Sequence, residues 1–211
     1  MRRTLFGTTL LLVLSVMPAR AASIVIGGIV VDDQGQFSAV AGATTVDFNA
    51  VPAGNQSFTA GLATYVANIF SCACSGDGDV RDDTTRGARA LVGAPLTIDF
   101  SEPISHFGLY WGSPDRGNTI TFFDGASQVL RFTGADLNGL GVGFGLANAA
   151  YVNVTAGAGE RFTRIVLSST DFPFETDNHA YVGSVPEPTA LLLLAVGAFG
   201  MVVRPRLRVD R

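Results

Sequence analysis

Between residues 22 and 184 apolar side chains return at every second position in short runs ended by glycine, and no sustained period of ~3.6 stands out. A period of two puts successive side chains on opposite faces of an extended strand, so such a chain is confined to sheets. Residues 44–49 alternate with Val46 and Phe48 on one face, and residues 96–100 bring Leu96, Ile98 and Phe100 together. Further strands are expected over 23–31 with a break at Gly27-Gly28, and over 104–110, 119–123, 128–132, 151–154, 161–167 and 179–182. Phe123-Asp124-Gly125-Ala126 between two alternating runs predicts a tight hairpin. Ser113-Pro114-Asp115 and Gly157-Ala158-Gly159 mark other turns. Many short strands in a chain with 25 glycines predict an all-β fold, an antiparallel β-sandwich of jelly-roll type. Residues 134–149, rich in Gly, Ala and Asn, read as a long loop, and no helix is expected inside this domain.

The two ends follow different rules. Met1-Arg2-Arg3 is a basic lead, Leu5 to Met17 is apolar, and Pro18 precedes Ala19-Arg20-Ala21, a small-x-small cleavage pattern. Residues 1–21 therefore read as a signal peptide cut after Ala21. The general secretory route is favoured over the twin-arginine route that Arg2-Arg3 also fits. At the other end Val185-Pro186-Glu187-Pro188 is followed by residues 189–203, without charge or proline, and then by Arg204, Arg206 and Arg208. Proline fixes its own φ and holds the preceding residue extended, which leaves Val185 and Glu187 open to a reader. The apolar run predicts a single transmembrane helix, with the arginines held cytoplasmic by the positive-inside rule. Its fifteen residues make roughly 22 Å of helix against a hydrocarbon core of ~30 Å, so the anchor is marginal and suits a temporary tether.

The order of these three parts over 185–208 resembles the PEP-CTERM sorting signal. The resemblance implies processing by exosortase, a membrane-embedded cysteine protease-transpeptidase of Gram-negative bacteria. It also implies a transient inner-membrane precursor, then delivery to the cell surface or extracellular matrix, where such proteins accompany exopolysaccharide. A second resemblance rests on Phe107-Gly108-Leu109-Tyr110-Trp111-Gly112-Ser113-Pro114-Asp115, Asn118 to Gly125, and Phe174-Glu175-Thr176-Asp177-Asn178-His179-Ala180. These stretches are similar to exosortase-dependent surface proteins with an FGLYWGS-type signature, which implies a jelly-roll ectodomain and assigns it no activity.

Charge narrows the partners. The chain has no lysine, and residues 22–184 hold seven arginines against sixteen carboxylates, a net charge near −9. Such a domain repels nucleic acid and anionic lipid. No Gly-x-Ser-x-Gly elbow, His-Glu-x-x-His pair or phosphate loop is present, and His106 and His179 stand apart inside expected strands, so the chain reads as no enzyme. Cys72 and Cys74 meet an oxidising compartment after export. A local disulfide in a surface loop is favoured, ahead of bridges between molecules or a soft metal, for which two ligands are too few. Residues 76–83 carry Asp77, Asp79, Asp82 and Asp83 and read as a solvated acidic loop, with calcium as the alternative. A structural calcium could also join Asp47, Glu175, Asp177 and Asn178 where first and last strands meet, against the simpler reading that Asp177 and Asn178 turn the chain. Tyr110 and Trp111 could offer a sugar-stacking surface, but adjacent strand residues face opposite ways, so at most one is exposed, and core packing is the favoured reading. The expected function is a structural or adhesive component of an extracellular polysaccharide matrix. A carbohydrate-binding module using those aromatics is the alternative.

Overall fold

The computed structural model describes residues 21–71, 85–145 and 148–184. The described strands are β1 (Ser23–Ile26), β2 (Ile29–Val31), β3 (Gly35–Phe37), β4 (Thr44–Val46), β5 (Gly54–Ala60), β6 (Ala63–Phe70) and β7 (Gly87–Ala90). They continue with β8 (Leu96–Trp111), β9 (Thr119–Asp124), β10 (Ser127–Thr133), β11 (Ala150–Thr155), β12 (Phe162–Ser168) and β13 (Phe174–Gly183). One helix, α1 (Gly134–Asn138), follows β10.

The long strand β8 serves as the spine. Its first part lies between β6, with Ala63 opposite Phe100, and β12, with Leu167 opposite Leu96. Past Ser101–Pro103 it changes partners and runs between β11 and β13. Outside β12 come β9 and β10, outside β6 comes β5, outside β11 comes β1, and outside β13 come β4 and β7. Strand β7 also pairs with β6, Arg89 opposite Asn68, so the antiparallel sheet turns back upon itself around one core. That is the arrangement of a β-sandwich. The sequence separates 96–100 from 104–110, and the structure joins them, because Ser101-Glu102-Pro103 stays extended while the strand exchanges neighbours.

The first part of β8 alternates as a half-buried strand should, Leu96, Ile98 and Phe100 facing the core. From His106 to Trp111 every residue is buried. The cause is a second layer: β2 and β3 form a separate hairpin, and β3 packs across β8, β11 and β13. Under it sits a small cluster of Tyr110, Tyr151 and Ala180. The break expected at Gly27-Gly28 within 23–31 is present, and it separates two strands that lie in different sheets. There β1 stays on β11 and β2 crosses to the covering layer. Gly28 has to be glycine, since a Cβ there would lie 2.7 Å from the Phe37 carbonyl oxygen and from Tyr151 Cβ.

One other local expectation changes. Residues 134–149 begin with a helical turn, because Thr133 and Asp136 form a capping box, Thr133 N–H donating to Asp136 Oδ2 at 2.7 Å and Asp136 N–H to Thr133 Oγ1 at 3.4 Å. The expected β9–β10 hairpin is present, with Gly125-Ala126 at its tip, Asp124 paired to Ser127 and Gly125 at φ 57°. Strands β5, β6 and β7 fill a region for which the sequence suggested none. No described helix is long and apolar enough to cross a membrane, and residues 189–203 lie outside the described residues.

Candidate functional site

The C-terminal exit from the sandwich is built by the last residues of β13 and the Pro103 corner of β8. Gly183 pairs with Ile104, and Ser184 N–H and Oγ each donate to the Pro103 carbonyl at 2.9 Å. Ser105 Oγ lies 3.5 Å from the Val182 and Gly183 carbonyls. The chain is therefore fixed up to Ser184, one residue before Val185. Val185, Pro186, Glu187, Pro188, Arg204, Arg206 and Arg208 lie outside the described residues, as do Ala19, Cys72, Cys74 and residues 76–83. Ala21 is exposed just ahead of β1.

At the opposite end, Trp111, Asn118 and Phe174 bring three separate stretches of chain together. Trp111 stacks on Phe174 with ring centroids 4.0 Å apart. Asn118, wholly buried, accepts from Trp111 Nε1 at 3.3 Å and from Asp115 N–H at 3.2 Å, and donates to Ser169 Oγ at 3.2 Å and to the Phe172 carbonyl at 3.1 Å. Gly112 N–H donates to the Glu175 carbonyl at 3.0 Å, and Ser113 Oγ to Glu175 Oε2 at 3.4 Å. These residues thus form a packing unit that ties the β8–β9 connection to the start of β13. Asn118 and its Trp111 partner were not singled out together by sequence, where the only cue is a polar residue seven positions past a tryptophan.

Tyr110 and Trp111 are both 0% exposed, so both rings, and not one alone, are packed inside. Trp111 points into the main core, and Tyr110 into the cluster beneath the β2–β3 hairpin. Neither ring is open for a sugar to stack on. The four residues considered for calcium are engaged separately. Asp47 is exposed and its Oδ1 accepts from Asn49 N–H at 3.2 Å, whereas Glu175 faces Ser113 and Arg89. Asp177 Oδ1 accepts from Asn178 N–H at 2.7 Å and its Oδ2 from Thr85 Oγ1 at 3.0 Å, while Asn178 Nδ2 donates to the Gln34 carbonyl at 2.6 Å. Among the described residues no three His, Cys, Asp or Glu groups are placed to share a metal ion. Asp177 and Asn178 instead form the bulge at which β13 changes outer neighbour, from β7 to β4, with Asn178 at φ 47°.

The histidines are core residues. His179 is fully buried between Phe48, Tyr65 and Phe107, with Nε2 3.0 Å from Thr176 Oγ1, and burial lowers its pKa to about 3. His106 is held by Thr155 Oγ1 at 3.2 Å, and burial lowers its pKa as well.

A polar row crosses the outer face of four strands. Asn68 Nδ2 donates to Asn55 Oδ1 at 2.8 Å, and Arg89 Nε donates to Asn68 Oδ1 at 2.8 Å while its guanidinium covers the Phe70 ring. Arg89 stands opposite Glu175, whose carboxyl is pushed up by burial and drawn back down by Arg89 and Ser113. Beside Asn55 and Asn68 lies an open cleft of about 400 Å³ bordered by Ser57, Val66, Leu91 and Pro95. These residues are far apart in sequence and meet only through strand pairing, so no local pattern reveals the cleft.

With this geometry in place, the comparisons are specific to one end of the chain. The model of the PEP-CTERM protein-sorting motif matches residues 184–207. No curated protein and no solved structure matches the chain. The chain is an all-β protein carrying a PEP-CTERM sorting motif, which implies export, processing at the membrane and exosortase as the processing partner. The matched segment opens on Ser184, the first residue past β13.

Proposed function

We propose that the protein is a surface or matrix component of a Gram-negative bacterium, made as an inner-membrane-tethered precursor and cut by exosortase within or next to Pro186-Glu187-Pro188. The observation that carries this reading is the motif match over 184–207, joined without a spacer to a finished sandwich whose last bond is Ser184 to Pro103. Residues 189–203 act as the temporary anchor and Arg204, Arg206 and Arg208 as its cytoplasmic stop. The sandwich, of jelly-roll type, is not an enzyme in this reading and serves a structural or adhesive role among extracellular polysaccharide. The cleft beside Asn55 and Asn68 supports contact with a neutral polyhydroxylated chain, because its border combines amide and hydroxyl groups with aliphatic surface.

Intact mass of the protein from its host, beside a strain lacking exosortase, tests the sorting step. The parent should end between residues 185 and 190, and the mutant should keep the tail. Retention of Arg211 in both strains would refute it. For the adhesive role, the mature protein should be retained on the host's polysaccharide, and Asn55→Ala with Asn68→Ala should release it at least ~10-fold more readily, about 1.4 kcal/mol.

A further inference from the structure

Ser23 pairs with Thr155, Thr155 with His106, and His106 with Val182. This single row crosses β1, β11, β8 and β13, so the strand that begins the domain and the strand that ends it meet at one end of the sandwich. Three strand spacings separate Ser23 from Val182, roughly 14 Å. Both are tied down: Ala22 packs against the core, and Ser184 is held by Pro103. The opposite end holds the β8–β9 and β12–β13 connections and α1, where Gly134 N–H donates to the Asn118 carbonyl and Asn118 Nδ2 to that of Phe172.

Chain length then fixes which end can approach a membrane. From Ser184 to the apolar run at Thr189 there are five residue steps, at most ~18 Å when fully extended. The ten residues of β13 span roughly 33 Å, so a tail leaving at Ser184 cannot pass back along the strand and enter a bilayer at the far end. On the N-terminal side, the apolar stretch ending at Met17 is six steps from Ser23, at most ~22 Å.

We propose that the membrane-held precursor stands on the end of the sandwich where β1 starts and β13 finishes, its first and last strands both tethered to the lipid surface at that end. The β8–β9, α1 and β12–β13 end, which carries exposed Phe172 and Leu140, points away. The inference rests on the sorting reading for the C-terminal tether. Glu102 lies exposed near the tethered end of an acidic domain, so the tail and not lipid attraction sets the orientation. Signal-peptide removal then transfers the domain from two tethers to one without turning it over.

The test uses the full-length chain with Cys72 and Cys74 changed to serine and one new cysteine, Ala158→Cys in the turn at the tethered end or Leu140→Cys at the other. Each is labelled with a fluorophore and reconstituted in phosphatidylcholine vesicles containing headgroup-spin-labelled lipid. Quenching should be several-fold stronger at 158 than at 140, and equal or reversed quenching overturns the proposal. A full-length chain that does not partition into vesicles overturns the sorting reading and, with it, the membrane-standing orientation. The geometry is tested separately by spin labels on Ser23→Cys and Ser184→Cys. Labels well within ~33 Å support the shared end, and a separation at or beyond that strand length shows the two termini at opposite ends.

Discussion

Three buried residues carry testable consequences at the scale of single positions. Gly108 lies beneath the Tyr151 ring, and a Cβ there would sit 2.7 Å from Tyr151 Cε1, while Tyr151 Oη is committed to the Asn178 carbonyl at 2.9 Å. Gly108→Ala should therefore lower stability by about 1–3 kcal/mol in urea denaturation, and adding Tyr151→Ala should cost less than the sum of the two single changes. Asn118→Ala removes four hydrogen bonds and leaves the buried Trp111 indole N–H without a partner, so a loss of about 3 kcal/mol is expected by the same measurement. His179 titrates at about 3 when folded and at ~6.5 when unfolded. Between those values the unfolded chain binds the additional proton. The contribution is complete above pH ~6.5 and declines as pH falls towards 3, by at most about 1.4 kcal/mol per pH unit. His179→Asn should flatten that slope by one proton when unfolding is followed from pH 7 to pH 4.

Elements show where sequence patterns govern and where tertiary contacts override them. Capping chemistry is local, so Thr133→Ala should cost about 1 kcal/mol and speed amide exchange in α1 ahead of the sheet. Its signal, Thr-x-x-Asp, was present in the sequence but sat in a glycine-rich stretch that resembled a loop. The strands with clean alternation, such as Leu96 to Phe100 and the run ending at Phe123, were legible because one of their faces meets solvent or a thin edge. Tyr110 and Trp111 were not, because the alternation rule presumes one covered face and the β2–β3 hairpin covers the other. Strands β5 to β7 escaped notice for a related reason. Their outer residues Asn55, Asn68 and Arg89 are polar and ordinary one by one, and they acquire meaning only as a row. The sorting motif is the opposite case. It is read by another protein as linear chain, so its order of residues is sufficient to reveal it.

Across the whole molecule, the order of the strands in the chain differs sharply from their order in the sheet. Strand β13 is the last to be made, yet it lies between β8 on one side and β4 and β7 on the other. A chain cut back to Pro173 should lack a cooperative unfolding transition and the near-ultraviolet signal of Trp111, whose stacking partner Phe174 would be gone. The same arrangement constrains timing. Until residues 174–183 emerge, the second half of β8 lacks one neighbour and β4 has no described strand to pair with, so closure depends on contacts of long sequence separation that form slowly. The sheet cannot be completed before its last strand is available. The domain is in this sense closed from its C-terminal end, and any shortening from that side removes the strand on which both halves of the fold depend.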